Sequence, residues 1–258
     1  MSARALAIAA HPDDIEFVMS GTLMRLREVG FELHYLNVAN GCCGSTEMDA
    51  AEAARVRRTE SIAAALKLGA VYHESLTDDL AIFYERDLLA QIAAIVREVD
   101  PSIVLTHSPT DYMEDHTNTC RLAVTATFAR GMPNFPTYPV QPAVNRQVTL
   151  YHAQPHGNRD GLRQLVTPEL FVDVTDVMER KCELLECHAS QKEWLDESQG
   201  MDSYLEAMKS LLSEVGKLSG RYEYAEGWRR HSHLGFCDES ADPLAKALRR
   251  HVTKSDAN

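Results

Sequence analysis

The sequence predicts an α/β fold with a mostly parallel sheet and helices on both faces. Three observations predict it. Short apolar runs of strand length recur at residues 4–10, 31–39, 70–73 and 102–106. Longer segments between them carry apolar residues at the helical period. Most of the strand runs are continuously apolar, as befits strands buried on both faces of a parallel sheet. Strand–helix alternation of this kind implies right-handed crossovers.

The first strand, 4–10, runs into His11-Pro12-Asp13-Asp14. Ile15, Val18, Met19, Thr22, Leu26 and Val29 then follow a helical period, and Gly30 stands where a C-capping glycine belongs. Residues 31–39 read as the second strand. Asn40-Gly-Cys-Cys-Gly44 is a loop whose backbone N–H groups are candidates to hold a polar ligand. A long helix over about 49–68 ends at Gly69, before the strand 70–73. Residues 85–99 are helical, with Leu88, Leu89, Ile92, Ile95 and Val96 on one face, and Asp100-Pro101 breaks them. The strand 102–106 follows.

The proline-rich stretch 131–142 is expected as a loop, with Phe135 and Tyr138 as candidates for a pocket wall. Residues 148–152 and 170–174 are further strands. Asp176 is expected to cap a helix running toward His188. Residues 197–218 read as a mostly polar helix, and a short helix with a frayed tail is expected from about Asp242. The organisation that results is one domain over 1–258, with a core at about 4–191 and a helical extension over 192–258.

The chain of 258 residues is 45% hydrophobic and 25% charged, the composition of an ordinary globular protein. Its formal net charge of −12 argues against binding nucleic acid or an acidic membrane surface. No run approaches the roughly 20 apolar residues of a membrane span, and no signal peptide is read before the first strand. None of the six cysteines forms a C-x-x-C pair. The expectation is a set of reduced thiols and a cytoplasmic location, with Cys42-Cys43 as two small residues of a loop.

In an open α/β sheet, ligands collect beyond the carboxyl ends of the strands. Two polar motifs fall there: His11-Pro-Asp13-Asp14, and Asp111-Tyr-Met-Glu-Asp115-His116 after the strand ending at Thr106. His11, Asp14 and His116 make a two-histidine, one-carboxylate set. Three protein ligands and one open position are the arrangement of catalytic zinc. Asp13, next to a ligand but not needed as one, is placed to act as a base. Each motif alone also reads as ordinary structure, with His11, Asp13, Asp14 or Asp115 capping a helix. Two such motifs after two strands of one sheet favour a site.

With His188-Ala-Ser-Gln191 further on, the chain resembles the LmbE-like, or PIG-L, family of zinc-dependent N-deacetylases. The family carries Ala-His-Pro-Asp-Asp after its first strand of a Rossmann-like sheet, Asp-His after a later one, and a downstream His-x-Ser-Gln. The resemblance implies one Zn2+ on His11, Asp14 and His116. It implies Asp13 as general base and then general acid, Asp115 as an orienting carboxylate, Arg57 at the substrate pocket and His188 near the site. It also implies an N-acetylated small-molecule substrate of the N-acetylglucosamine type; a homo-oligomer is compatible with it. Glu226 and Trp228 resemble a late segment that approaches the pocket, although a helix-surface carboxylate and a core tryptophan are the commoner explanations. Relatives commonly read Asp-Tyr-His-Pro-Asp-His, whose first histidine stabilises the oxyanion. Here Met113 takes that place, and a thioether donates no hydrogen bond. The substitutes are His107, His188, His231 and His233, with His188 leading. The alternative is a hydratase or amidase built on the same metal and base.

Overall fold

The computed structural model describes residues 3–191 and 204–255. Its strands are β1 (Arg4–Ala9), β2 (Glu32–Asn37), β3 (Ala70–His73), β4 (Ile103–Thr106), β5 (Thr149–Ala153), β6 (Leu170–Asp173), β7 (Ala225–Arg230) and β8 (Val252–Lys254). They form one sheet in the order β3-β2-β1-β4-β5-β7-β6-β8. The first five run parallel, with Ala5 of β1 opposite Leu33 on one side and Ile103 on the other. The last three add antiparallel.

The period of two along β1 sends its residues to two cores. Ala5, Ala7 and Ala9 pack with residues of the helices α2 (Ser20–Glu28) and α3 (Ala50–Leu68). Leu6, Ile8 and Ala10 pack beneath α4 (Arg86–Val99) and α5 (Glu114–Ala129). The sequence accounts for the ends of these helices. Asp49 accepts a hydrogen bond from the Glu52 N–H at the start of α3, and Gly69 closes it at φ 74°.

The chain lays β2 and β3 on one side of β1, then crosses to lay β4 and β5 on the other. The carboxyl ends of β1 and β4 therefore flank the point where the strand order reverses, which is where such sheets bind ligands. The helix α1 (Asp14–Val18) starts there, directly after β1.

Several expectations are corrected. The extension beyond 192 is not only helical: α7 (Tyr204–Ser219) and α8 (Pro243–Ala247) are joined by β7 and β8. The first part of the expected helix at 197–218 lies outside the described residues. Glu226 is no helix-surface carboxylate but sits buried in β7, whereas Trp228 beside it is a core tryptophan as expected. Asp176 caps no helix; it lies in a 3-10 turn and pairs with Arg25, and α6 (Met178–Leu185) ends before His188. Phe135 packs against the α4–α5 core, and Tyr138 is exposed. Among the described residues no helix is long and apolar enough to cross a membrane.

Candidate active site and metal centre

Beyond β1 the chain turns tightly through His11-Pro12-Asp13. Asp14 Oδ2 accepts the His11 backbone N–H at 2.8 Å and fixes the turn. Asp13 takes φ 99°, a left-handed conformation that Asp tolerates better than most residues. Beyond β4, a short loop delivers Asp111, and the first turn of α5 delivers Asp115 and His116.

The donor atoms of His11, Asp14 and His116 lie within 4.8 Å of one another. Their orientation comes from a second layer of carboxylates. His11 Nε2 is 2.9 Å from Asp115 Oδ2, and His116 Nδ1 is 3.1 Å from Asp111 Oδ1. The ring atoms left over, His11 Nδ1 and His116 Nε2, lie 3.5 and 3.3 Å from the Asp14 carboxylate. Asp115 Oδ2 also accepts the Leu80 N–H at 2.8 Å, anchoring the loop opposite. His107 stacks on His116 with centroids 4.2 Å apart and planes within 6°.

The electrostatics of this cluster suit a cation. Burial disfavours a charged ring at His11, yet Asp115 and Asp14 outweigh it and raise the pKa to about 9. At His116 burial is likewise outweighed, by Asp14 and Asp111, and the pKa rises to about 10. Asp14, whose burial would favour the neutral acid, is held below the ordinary range by His116 and His107. Two imidazoles and a carboxylate, each steered by a further group, are a donor set that fits a zinc-class ion.

Asp13 stands beside this set. Tyr204 Oη donates to Asp13 Oδ2, and Arg57 Nη2 is 3.6 Å from the same oxygen. Burial pushes the Asp13 pKa up to about 6, against the pull of Arg57. Arg57 is itself buried on α3. It donates to the Pro12 carbonyl at 2.6 Å and the Gly41 carbonyl at 3.4 Å. Much of its guanidinium is thus engaged in holding the Asp13 turn.

A cavity of about 320 Å³ opens over these groups, walled by Phe17, Leu80, Tyr112, Met113, His156 and Tyr204. His188 does not line it. The ring is fully buried, with Nε2 3.3 Å from Glu16 Oε2, so the expected donation from His188 to an oxyanion has no path. Its motif reaches the cavity through Gln191, while Ser190 donates twice to Glu60 of α3. His231 bonds to His152 at 2.9 Å outside the cavity, and His233 is absent from the wall. The backbone N–H groups of the 40–45 loop that were candidates for a ligand are partly spent, Gly41 and Cys43 donating to Asp79.

Sequence reasoning missed His156, which follows β5 in a 3-10 turn. Its ring lies 5.2 Å from Phe17 and 5.8 Å from Tyr112, centroid to centroid. The available signal was its place three residues past a strand end, on the same rim as the two motifs.

Comparison with known proteins gives the family. The profile of the family described as PIG-L, GlcNAc-PI de-N-acetylase, matches residues 6–127. Diacetylchitobiose deacetylase of Thermococcus kodakarensis is 31% identical over 233 residues, 88% of this chain and 82% of that one. The chain belongs to the PIG-L family. Another relative is 4-oxalmesaconate hydratase of Pseudomonas putida, 28% identical over 196 residues, 73% of this chain and 74% of that one. Among solved structures, N,N'-diacetylchitobiose deacetylase from Pyrococcus horikoshii superposes with a TM-score of 0.75 at 25% identity, over 94% of this chain and 89% of that one. The PIG-L profile spans both strand-end motifs, at 11–14 and 111–116, but not His156.

Proposed function

We propose that this protein is a metal-dependent hydrolase that removes the acetyl group from an N-acetylated amino sugar of the N-acetylglucosamine type. The observation that carries the reading is Asp13, a buried carboxylate outside the donor set of His11, Asp14 and His116, yet in the same cavity. Those three would hold Zn2+, with Asp115 and Asp111 orienting the two rings. When bound, the metal supplies Lewis acidity toward the acetyl carbonyl and lowers the pKa of the attacking water.

Asp13 takes the proton of that water and returns it to the departing amine. A pKa of about 6 suits a group that must accept and then give a proton near neutrality. Tyr204 and Arg57 hold the carboxylate in place; Arg57 also reaches the cavity wall as a substrate contact. His156 makes no ring hydrogen bond among the described residues, and burial pushes its pKa down, so the neutral ring offers one N–H. We assign that N–H to the developing charge on the acetyl oxygen, the duty Met113 cannot perform.

The charge of the cavity supports a neutral sugar. Its wall carries Asp13, Asp14 and Asp79, and Arg57 is its one Arg or Lys among the described residues. A polycarboxylate would find little to pair with. With all six cysteines free, we infer a reducing, cytoplasmic setting.

Hydration of an unsaturated acid is the second reading, supported by Met113 in the cavity wall and by the likeness to the hydratase. The two readings separate on their products. Incubation with N-acetylglucosamine and N,N'-diacetylchitobiose should release acetate and a free amine. Turnover of unsaturated diacids with no acetate from any amino sugar would overturn the first reading in favour of the second.

A further inference from the structure

Two thiols and a carboxylate outside the catalytic set meet at the rim of the cavity. A bridge between Ala39 and Thr77 brings the loop after β2 against residues 77–80. Asp79 then clamps that loop, Oδ1 accepting the Gly41 N–H at 2.7 Å and Oδ2 the Cys43 N–H at 2.9 Å. Asn40 Oδ1 accepts the Cys42 N–H at 3.0 Å. Gly41 turns at φ 81°, and a Cβ there would strike Arg57. The loop is therefore fixed by its own hydrogen bonds, and its two sulfurs are held in place with it.

We propose that Cys42, Cys43 and Asp79 form a second site, for a thiophilic divalent cation of the zinc class, at the mouth of the cavity. Their donor atoms lie within 4.8 Å of one another. Two sulfurs each about 2.3 Å from one tetrahedral zinc are about 3.8 Å apart, and the Cys42 and Cys43 sulfurs are 3.8 Å apart. That spacing also suits a weak S–H contact; the carboxylate within the same reach is what turns a thiol pair into a ligand set. Each Asp79 oxygen accepts one N–H and keeps a lone pair for an ion. Cys42 is half-buried and Cys43 exposed, so an ion can enter without unfolding the loop. Binding expels the two thiol protons to solvent, with no change in oxidation state.

Cys43 and Asp79 line the same cavity as His11, Asp14 and His116. An ion on the rim narrows the mouth, while the two protons it displaces leave the local charge unchanged. Metal in excess of the catalytic equivalent then restricts substrate entry. This inhibitory consequence rests on the deacetylase reading, whereas the binding itself does not.

The test is titration of the reduced holoenzyme with Cd2+, read by thiolate-to-metal charge-transfer absorption, together with equilibrium dialysis of Zn2+. The wild type should take up a second equivalent with the thiolate band. Cys42→Ser should keep the first ion and basal turnover while losing the band. Its second equivalent should weaken by more than the roughly 10–100-fold that loss of an outer partner costs. Cys42→Ala serves if the serine disturbs the loop, with retention of the first ion as the check on folding. Inhibition by excess Zn2+ should fade in the same variants. An unchanged band in both variants would show that Cys42 supplies no ligand and overturn the proposal. So would absence of any band in the reduced wild type.

Discussion

Met113 stands in the cavity wall with no hydrogen bond to donate, and His156 reaches the same cavity from the end of a different strand. If its N–H meets the acetyl oxygen only as charge develops there, His156→Ala should lower kcat by about 10²–10³. KM should move far less, and metal content should stay at the wild-type level. Steady-state kinetics with metal analysis check this, and an unchanged kcat would return the oxyanion role to another group. His156 was hidden because it belongs to no motif. His11, Asp13, Asp14, Asp115 and His116 were legible because each falls in a short string with a spacing of its own. Arg57 and His188 were legible as residues, but their partners were not. Most of the hydrogen bonds Arg57 makes go to backbone carbonyls, and His188 faces Glu16; neither partner leaves a mark in the sequence.

The start of α2 is clasped from two later elements. Glu226 of β7 accepts the Gly21 and Thr22 N–H groups at 2.8 and 2.7 Å, and Lys181 of α6 lies 2.7 Å from the same carboxylate. Both side chains are fully buried. Lys181→Met leaves the carboxylate without its cation and should cost about 3–5 kcal/mol, measured by urea unfolding. A loss within the roughly 0.5 kcal/mol of an ordinary surface substitution would contradict this role. This clasp is also why β7 escaped sequence reading. Ala225–Arg230 holds a glutamate, a glycine and two arginines, and shows no apolar alternation. Its glutamate is tolerated inside because Lys181 and the Gly21 and Thr22 N–H groups meet it there. β8 escaped because three residues on a sheet edge carry too little pattern. By contrast, α3 was legible end to end, since Asp49 and Gly69 mark its caps locally.

The β2–β3 edge carries a pH dependence. His34 Nδ1 and His73 Nε2 lie 3.0 Å apart. Burial, with the neighbouring His34, pushes the His73 pKa down from 6.5 to about 4, and burial pushes His34 down as well. The unfolded chain binds protons below its own pKa that the fold refuses until a lower pH. Stability from this source is therefore present above pH 6.5 and lost as the pH falls toward about 4. His73→Gln should lose less stability than the wild type between about pH 7 and pH 5. Equal losses in denaturant titrations at the two pH values would show that the pair is not titrating as described.

The whole molecule is arranged around the reversal of strand order between β1 and β4. Two strand ends deliver the candidate ion ligands, the carboxylates bonded to their rings and Asp13; α3 contributes Arg57, and α7 brings Tyr204 across to Asp13. The parallel half of the sheet was legible in the sequence, because buried strands and amphipathic helices alternate there with clear caps. In the antiparallel half only β6 was legible as a strand; β7, β8 and the pairing of all three were not, because that pairing is settled by contacts far apart in the chain. The central claim is that Asp13 moves the proton and holds no metal. Asp13→Asn keeps the shape and a residue type that tolerates φ 99°. Acetate release and bound zinc should be measured together on Asp13→Asn and His116→Ala. Asp13→Asn should keep its zinc and lose about 10²–10⁴ in turnover, while His116→Ala should lose both; full acetate release by Asp13→Asn, or loss of its zinc, would contradict the account.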